Sequence, residues 1–173
     1  MAVKSGTAGD AGRATRPSLT FKRRLNASPE KVYAAWTDPQ KITRWFGRAD
    51  ATAGSFRADI DARIGGHFRV SFSANDEYYQ VGGVYREVVP NQRLVFSWAW
   101  HSTPERESMV TVQLEPDGDG TLLTLHHEHF FDDAARDGHQ RGWTGALDKL
   151  EASLAQDATS TGAGHAAASN RLA

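Results

Sequence analysis

Cysteine is absent from the 173-residue sequence. Without thiols, the chain can form neither a disulfide nor a thiolate zinc site, and it cannot use a cysteine nucleophile. No apolar run approaches the roughly 20 residues of a membrane span, and the first residues lack the apolar core of a secretory signal. We therefore expect a protein without a membrane span that is located in the cytoplasm.

A strong net charge is also missing, because 20 basic residues nearly balance 21 acidic ones and the formal net charge is −1. Such a chain has no broad positive field, so nucleic acid is not an expected partner. The sequence contains no G-x-S-x-G elbow, no dinucleotide-binding G-x-G-x-x-G after its first strand, and no P-loop. The signatures of serine hydrolases and nucleotide enzymes are therefore absent, and we predict no cofactor.

Large apolar side chains are scarce at both ends of the chain. Glycine, alanine, serine and threonine dominate residues 1–17 and again residues 156–173. Segments of this composition bury too little apolar surface to offset the entropy lost on ordering. We predict two flexible tails, at 1–17 and 156–173, around one domain that spans residues 18–155.

The longest regular pattern predicts a helix from Asp132 to Ala155. Its apolar residues recur with the helical period, which places them on one stripe. The stripe consists of Trp143, Ala146, Leu147, Leu150 and Leu154, and it extends backwards through His139 and Ala135. A helix with one apolar stripe and a length of roughly 35 Å must bury that stripe against a large surface.

Most of the chain before this helix alternates with the period of a half-buried strand. After a first strand at Leu19–Leu25, Ser28-Pro29 and Asp38-Pro39 predict the starts of two short helices. Further strands are predicted at Ser55–Asp61, His67–Ser73, Tyr78–Val89, Arg93–Trp100, Ser108–Glu115 and Thr121–Phe130. Within the third of these, Gly82-Gly83 predicts a bulge or a close backbone approach. The class is α+β: a curved antiparallel sheet of about six to seven strands around one long carboxy-terminal helix.

A set of short motifs occurs along the chain in the order typical of a known family. The motifs are Ala27-Ser28-Pro29-Glu30-Lys31-Val32-Tyr33-Ala34-Ala35-Trp36-Thr37-Asp38-Pro39, Gly65-Gly66, Gly83-Val84-Tyr85, Pro90 to Trp98, Gly120 to Leu125 with His127, and Gly142-Trp143. The sequence thereby resembles the single-domain bacterial proteins similar to the activator of the heat-shock-protein-90 ATPase, in the SRPBCC or START-related helix-grip superfamily. The resemblance implies an apolar cavity between sheet and helix, and it suggests a role in the stress response without fixing a reaction.

Eleven residues are candidate ligand contacts. Aromatic walls with a few polar groups suit a small-molecule pocket, because flat rings contribute contact area at little cost in rotamer entropy. The alternative is that the rings simply fill the core. The candidates are Trp36, Trp45, Phe68, Phe72, Tyr85, Trp98, Trp100, His127, Phe130, His139 and Trp143.

Two of these candidates, His127 and His139, also suggest chemistry, because imidazoles near one cavity can orient a ligand or relay a proton. The alternative for each is a histidine satisfied within the core or at its rim. Arg23 and Glu87 are expected to face inward, where a buried charge needs a partner, and we pair them with each other.

The run His126-His127-Glu128-His129 raises the question of a metal site. On a strand only His127 and His129 share a face, and two imidazoles are too few ligands for zinc without a third group. We predict no metal site.

Three functional hypotheses remain open, for a protein that is a monomer or a homodimer. In the first, the cavity binds an apolar or aromatic small molecule. In the second, the protein is a cyclase or hydrolase that uses His127 or His139 as a general base. In the third, it works by surface contact with a heat-shock ATPase, as its resemblance to an ATPase activator implies.

Overall fold

The computed structural model describes residues 15–166, with side chains described as far as residue 161. Its elements are β1 (Leu19–Leu25), α1 (Pro29–Thr37), α2 (Pro39–Ile42), β2 (Arg57–Ile60), β3 (His67–Ala74), β4 (Glu77–Val89), β5 (Arg93–Trp100), β6 (Ser108–Asp117), β7 (Gly120–Glu128) and α3 (Asp133–Ala166). The strands form one antiparallel sheet in the order β1-β7-β6-β5-β4-β3-β2. This is the predicted α+β helix-grip architecture, with seven strands.

The two short helices begin where side-chain oxygens cap them. The Ser28 hydroxyl accepts a hydrogen bond from the amide of Lys31, and Pro29 occupies the first turn of α1. Asp38 ends α1 by donating its amide to the carbonyl of Ala34, while its carboxylate accepts from the first amides of α2. One residue thus closes one helix and opens the next, which fixes the angle between them.

The glycine pair in β4 permits a close backbone approach, as predicted. A Cβ atom at Gly83 would clash with the carbonyl oxygen of Ser97 on β5. The strand register shifts between Tyr85 and Glu87. The bulge therefore lies beyond the glycines, and the glycines serve only the close approach.

The stripe of α3 packs against the concave face of the sheet. Leu147, Leu150 and Leu154 are almost completely buried, and Trp36 from α1 and Trp45 from the segment after α2 belong to the same core cluster. The two indole rings meet edge to face with centroids 4.6 Å apart. The carboxy-terminal half of the grip is therefore filled by side chains.

The long helix continues to Ala166, although the sequence pattern predicts that it ends at Ala155. Hydroxyls of Thr159 and Ser160 donate to the carbonyl of Gln156, and Arg44 forms an ion pair with Asp157 at 3.0 Å. The helix therefore continues beyond its apolar stripe, and polar side-chain contacts accompany the added turns. Residues 1–14 and 167–173 lie outside the described residues, so the predicted tails and domain limits stay a prediction.

The expected pairing of Arg23 with Glu87 is wrong. Three strands separate β1 from β4 in the sheet, so the two side chains lie far apart. Arg23 instead pairs with Asp148 of α3 at 2.6 Å, and Glu87 pairs with its neighbour Arg93 at 3.1 Å. Strand order decides the partners, and the sequence pattern did not give that order.

Candidate functional site

A cavity of about 450 Å³ lies between the sheet and the amino-terminal half of α3. Phe72, Trp98 and Trp100 form its sheet wall, and Phe46 from the segment after α2 covers one side. Lys149 of α3 donates to the carbonyl of Gly47 at 2.9 Å and so holds that segment against the helix. The volume falls within the range of about 300–1,000 Å³ typical of small-molecule sites.

Beside His139 and Trp143, the helix wall of the cavity consists of small residues. They are Ala134, Ala135, Gly138, Gly142 and Ala146. A Cβ atom built at Gly142 would meet no heavy atom within 4 Å, so the space beside this glycine is open. Each glycine within a helix costs about 0.5–1 kcal/mol relative to alanine. The helix therefore gives up stability along the stretch that borders the cavity.

His139 is held as a neutral imidazole by three hydrogen bonds. Its Nδ1 lies 2.7 Å from the carbonyl of Ala135, which can only accept, so this nitrogen carries the proton. Its Nε2 accepts from the indole N–H groups of Trp98 at 3.2 Å and Trp100 at 3.0 Å. Burial lowers the pKa of His139, an effect that the bond to Ala135 partly opposes. Its acceptor nitrogen is already engaged by two donors.

His127 is fixed in the opposite tautomer. The indole N–H of Trp143 donates to its Nδ1 at 3.0 Å, so the proton lies on Nε2, which is 2.7 Å from the hydroxyl of Ser108. Ser108 in turn donates to the carbonyl of Trp98 at 3.3 Å. Burial, together with the charges of His139 and His126, lowers the pKa of His127 to about 2. This imidazole is fully buried and stays neutral at physiological pH.

The two imidazoles and three indoles therefore form one satisfied network, in which His139 and the indoles line the cavity and His127 lies behind them. The ring centroids of His127 and His139 are 5.1 Å apart, and those of Trp98 and Trp143 are also 5.1 Å apart. Neither imidazole has a lone pair free for a substrate proton. This geometry does not favour a general-base role, although the enzyme hypothesis itself stays a prediction.

Charged and hydroxyl groups gather at the mouth of the cavity. Arg48 binds Asp50 through two parallel hydrogen bonds of 2.8 and 2.7 Å, and it also donates to the Tyr79 hydroxyl at 3.2 Å. The hydrogen bond from Arg48 is the main cause that lowers the pKa of Asp50. Across the mouth, the Arg106 guanidinium carbon lies 4.2 Å from the centre of the exposed Phe131 ring.

The structure brings six of the eleven predicted contacts to the cavity wall: Phe72, Trp98, Trp100, Phe130, His139 and Trp143. The other five do not line it, namely Trp36, Trp45, Phe68, Tyr85 and His127, which pack within the core. His127 lies directly behind the wall and contacts the lining residues Ser108 and Trp143. The distinction between lining and core was not visible in the aromatic pattern.

Several lining residues were not predicted. Arg48, Tyr79, Ser102, Thr103, Arg106 and Phe131 come from loops or from a strand end, where no periodicity marks a face. The small helix residues did carry a signal, because Gly138 and Gly142 stand four residues apart and share a face of α3. Two glycines on one face of a helix indicate space beside that face.

His129 does not share a face with His127, contrary to the prediction. Strand β7 ends at Glu128, and His129 has a φ of 66°, which turns its side chain out to solvent. His126 lies 3.3 Å from Glu128 on the outer side of the sheet. Within residues 15–166, no group of three or more histidine, cysteine or acidic residues is arranged to hold a metal ion.

Solved structures similar to this chain share its fold over most of their length. Protein Mll3558 of Rhizobium loti is 33% identical with a TM-score of 0.67, and the match covers 80% of this chain and 97% of that one. The AHSA1 protein of Silicibacter pomeroyi is 31% identical with a TM-score of 0.70, covering 82% and 99%. Protein CV1439 of Chromobacterium violaceum is 26% identical with a TM-score of 0.71, covering 79% and 96%.

The remaining comparisons concern sequence and membrane association. No curated protein matches the chain. Over the part of the chain that the structure describes, no helix is both long and apolar enough to cross a membrane. A family model described as "Activator of Hsp90 ATPase homolog 1-like protein" matches residues 26–155, which is most of the chain. The chain therefore belongs to the family of Activator of Hsp90 ATPase homolog 1-like proteins.

Proposed function

We propose that this protein binds an apolar or aromatic small molecule in the cavity between the sheet and the amino-terminal half of α3. The observation that carries the proposal is the cavity of about 450 Å³ itself, which has aromatic rings on one side and glycine and alanine on the other. A well-packed core leaves few voids larger than a water molecule. Space of this size, bordered by flat rings, suits a ligand that contributes the missing contacts.

The binding proposal can be tested by filling the cavity from the helix side. In Gly142→Leu the new side chain enters open space, so we expect a folded protein with weaker ligand binding. The matched control is Gly145→Leu, because Gly145 is on the same helix, also has nothing within 4 Å of a built Cβ, and does not line the cavity. Both changes replace a helical glycine, so their effects on helix propensity are alike.

The measurement is native mass spectrometry against a panel of lipids and aromatic metabolites, followed by calorimetry on the best binders. We expect at least tenfold weaker binding in Gly142→Leu, since a blocked cavity loses most of the apolar contact area, and wild-type affinity in Gly145→Leu. If no panel member binds the wild-type protein, or if the two variants bind alike, the proposal is wrong.

Association with a heat-shock ATPase remains a second candidate, which the description of the family favours. Such a protein would act through its surface, so its effect would not depend on an open cavity. The test is co-purification with a heat-shock ATPase and stimulation of its ATP hydrolysis. If wild type and Gly142→Leu stimulate hydrolysis equally, the surface function is supported, and absence of stimulation by wild type contradicts it.

A further inference from the structure

Polarity is distributed unevenly along the cavity. The imidazole, indole and hydroxyl groups at the inner wall are already bonded to one another, through His139, Ser108 and the tryptophans. A ligand atom that reaches this end therefore meets ring faces, methyl groups and glycine backbone. Placing a charge there would remove it from water without offering a partner, which is strongly unfavourable.

The mouth of the cavity is polar, because it holds the guanidinium groups of Arg48 and Arg106. Within the described part of the chain, only one of the two lies in an ion pair. The charge of Arg48 is matched by the bidentate Asp50 carboxylate. Among residues 15–166, the Arg106 guanidinium forms no ion pair and instead lies over the ring of Phe131. Its sequence neighbours Glu105 and Glu107 are exposed and form no ion pair with it.

We propose that the cavity selects an apolar molecule that carries a carboxylate, and that Arg106 binds this carboxylate at the mouth while the apolar body enters between sheet and helix. This inference rests on the binding function proposed above, and it adds the chemical class and orientation of the ligand. Guanidinium groups match carboxylates in shape and charge, and such charge-assisted pairs are stronger than neutral hydrogen bonds.

Phe131 contributes by holding the guanidinium in place. Its ring is 54% exposed, which is unusual for so large an apolar side chain, and the cation over its face is stabilised by the ring quadrupole. A guanidinium that rests on a ring loses less rotational freedom when a ligand binds. Because the mouth is open to solvent, the carboxylate also keeps part of its hydration there.

The test uses 2-naphthylacetic acid and its neutral analogue 2-naphthylacetamide, which differ at one group only. By calorimetry at pH 7.5 and low salt, we expect the acid to bind wild type about fivefold more tightly than the amide, the effect of about 1 kcal/mol typical of a partly exposed ion pair. The preference should disappear in Arg106→Gln, persist in part in Arg106→Lys, and shrink as salt rises.

The matched control is Arg69→Gln, which makes the same change in net charge at an exposed residue of β3 outside the cavity lining. It should keep the preference for the acid. If acid and amide bind wild type equally, or if Arg106→Gln and Arg69→Gln give the same preference, the role of Arg106 is wrong while the binding function stands. If the panel members that bind wild type are neutral and no carboxylic acid binds, the carboxylate class is wrong, and if nothing binds, both proposals fail.

Discussion

The two halves of α3 face the same sheet with side chains of very different size. Residues 133–146, here called the open half, border a cavity with Ala135, Gly138 and Gly142, whereas Leu147 and Leu150 are buried within residues 147–154, here called the filled half. Leu147 and Leu150 belong to the core cluster that also contains Trp36 and Trp45, from α1 and the segment after α2. The same helix therefore closes the core at one end and leaves it open at the other.

This difference shows that side-chain volume, more than backbone geometry, decides whether a helix-grip fold is filled. The backbone of α3 is helical throughout both halves. What changes is the share of small side chains, because glycine and alanine supply five of the seven lining residues of α3, whereas leucines fill the stretch that follows. Substitutions in the filled half should consequently change stability more than binding, and substitutions in the open half should change binding more than stability.

The largest effect is expected from Leu150→Ala in the filled half. Leu150 is 0% exposed, and removing a fully buried leucine side chain typically costs about 2–5 kcal/mol through lost transfer energy and the cavity left behind. Unfolding in urea measures this change. Gly142→Leu in the open half should leave the unfolding free energy within about 1 kcal/mol of the wild-type value, because the helix propensity gained by removing a glycine offsets the cost of placing an apolar side chain in open space. A comparable loss in both variants would contradict the division of α3 into a filled and an open half.

Sequence patterns were sufficient for the fold because each element carried its own period. The alternation across β5 predicted its limits of Arg93 and Trp100 correctly, and the cap at Ser28 predicted the start of α1. These signals are local, since burial on one face dictates the alternation along a strand. The end of α3 was missed because the apolar stripe on which the prediction rested stops at Leu154, whereas the helix continues to Ala166.

The site was only partly predictable, because its parts depend on contacts distant in sequence. The stripe through His139 and Trp143 predicted contacts on the stretch of α3 that lines the cavity. Arg106 and Phe131 are not part of any periodic sequence pattern. They come into contact because the loop after β5 and the segment after β7 lie close together in the fold. The positive φ of His129 is equally invisible to periodicity.

Lowering the pH should have an effect of intermediate size on the unfolding free energy, because two histidines of the hydrogen-bonded network are buried as neutral imidazoles. Burial lowers the pKa of His127 from 6.5 to about 2 and lowers that of His139 in the same direction. Below pH 6.5 the unfolded chain therefore binds protons that the folded protein excludes, so stability falls as pH falls. Between pH 7 and pH 5, His127 alone should remove about 2 kcal/mol of unfolding free energy.

Urea unfolding at several pH values measures this loss. His127→Asn should be less stable than the wild type at pH 7. Because its new side chain does not titrate, its unfolding free energy should also depend less steeply on pH. The exposed His101→Asn serves as the control and should keep the wild-type slope. An unfolding free energy of the wild type that is equal at pH 5 and pH 7 would contradict the neutral network.

The smallest effect, and the finest test of the comparison, comes from replacing single helical glycines by alanine. Gly142→Ala and Gly145→Ala each add a methyl group to open space and should each raise the unfolding free energy by about 0.5–1 kcal/mol. Their effects on the cavity differ, because Gly142 borders it and Gly145 does not. We expect equal stabilisation in urea, with weaker ligand binding in Gly142→Ala alone. Equal binding by both variants would mean that the space beside Gly142 is not used by the ligand.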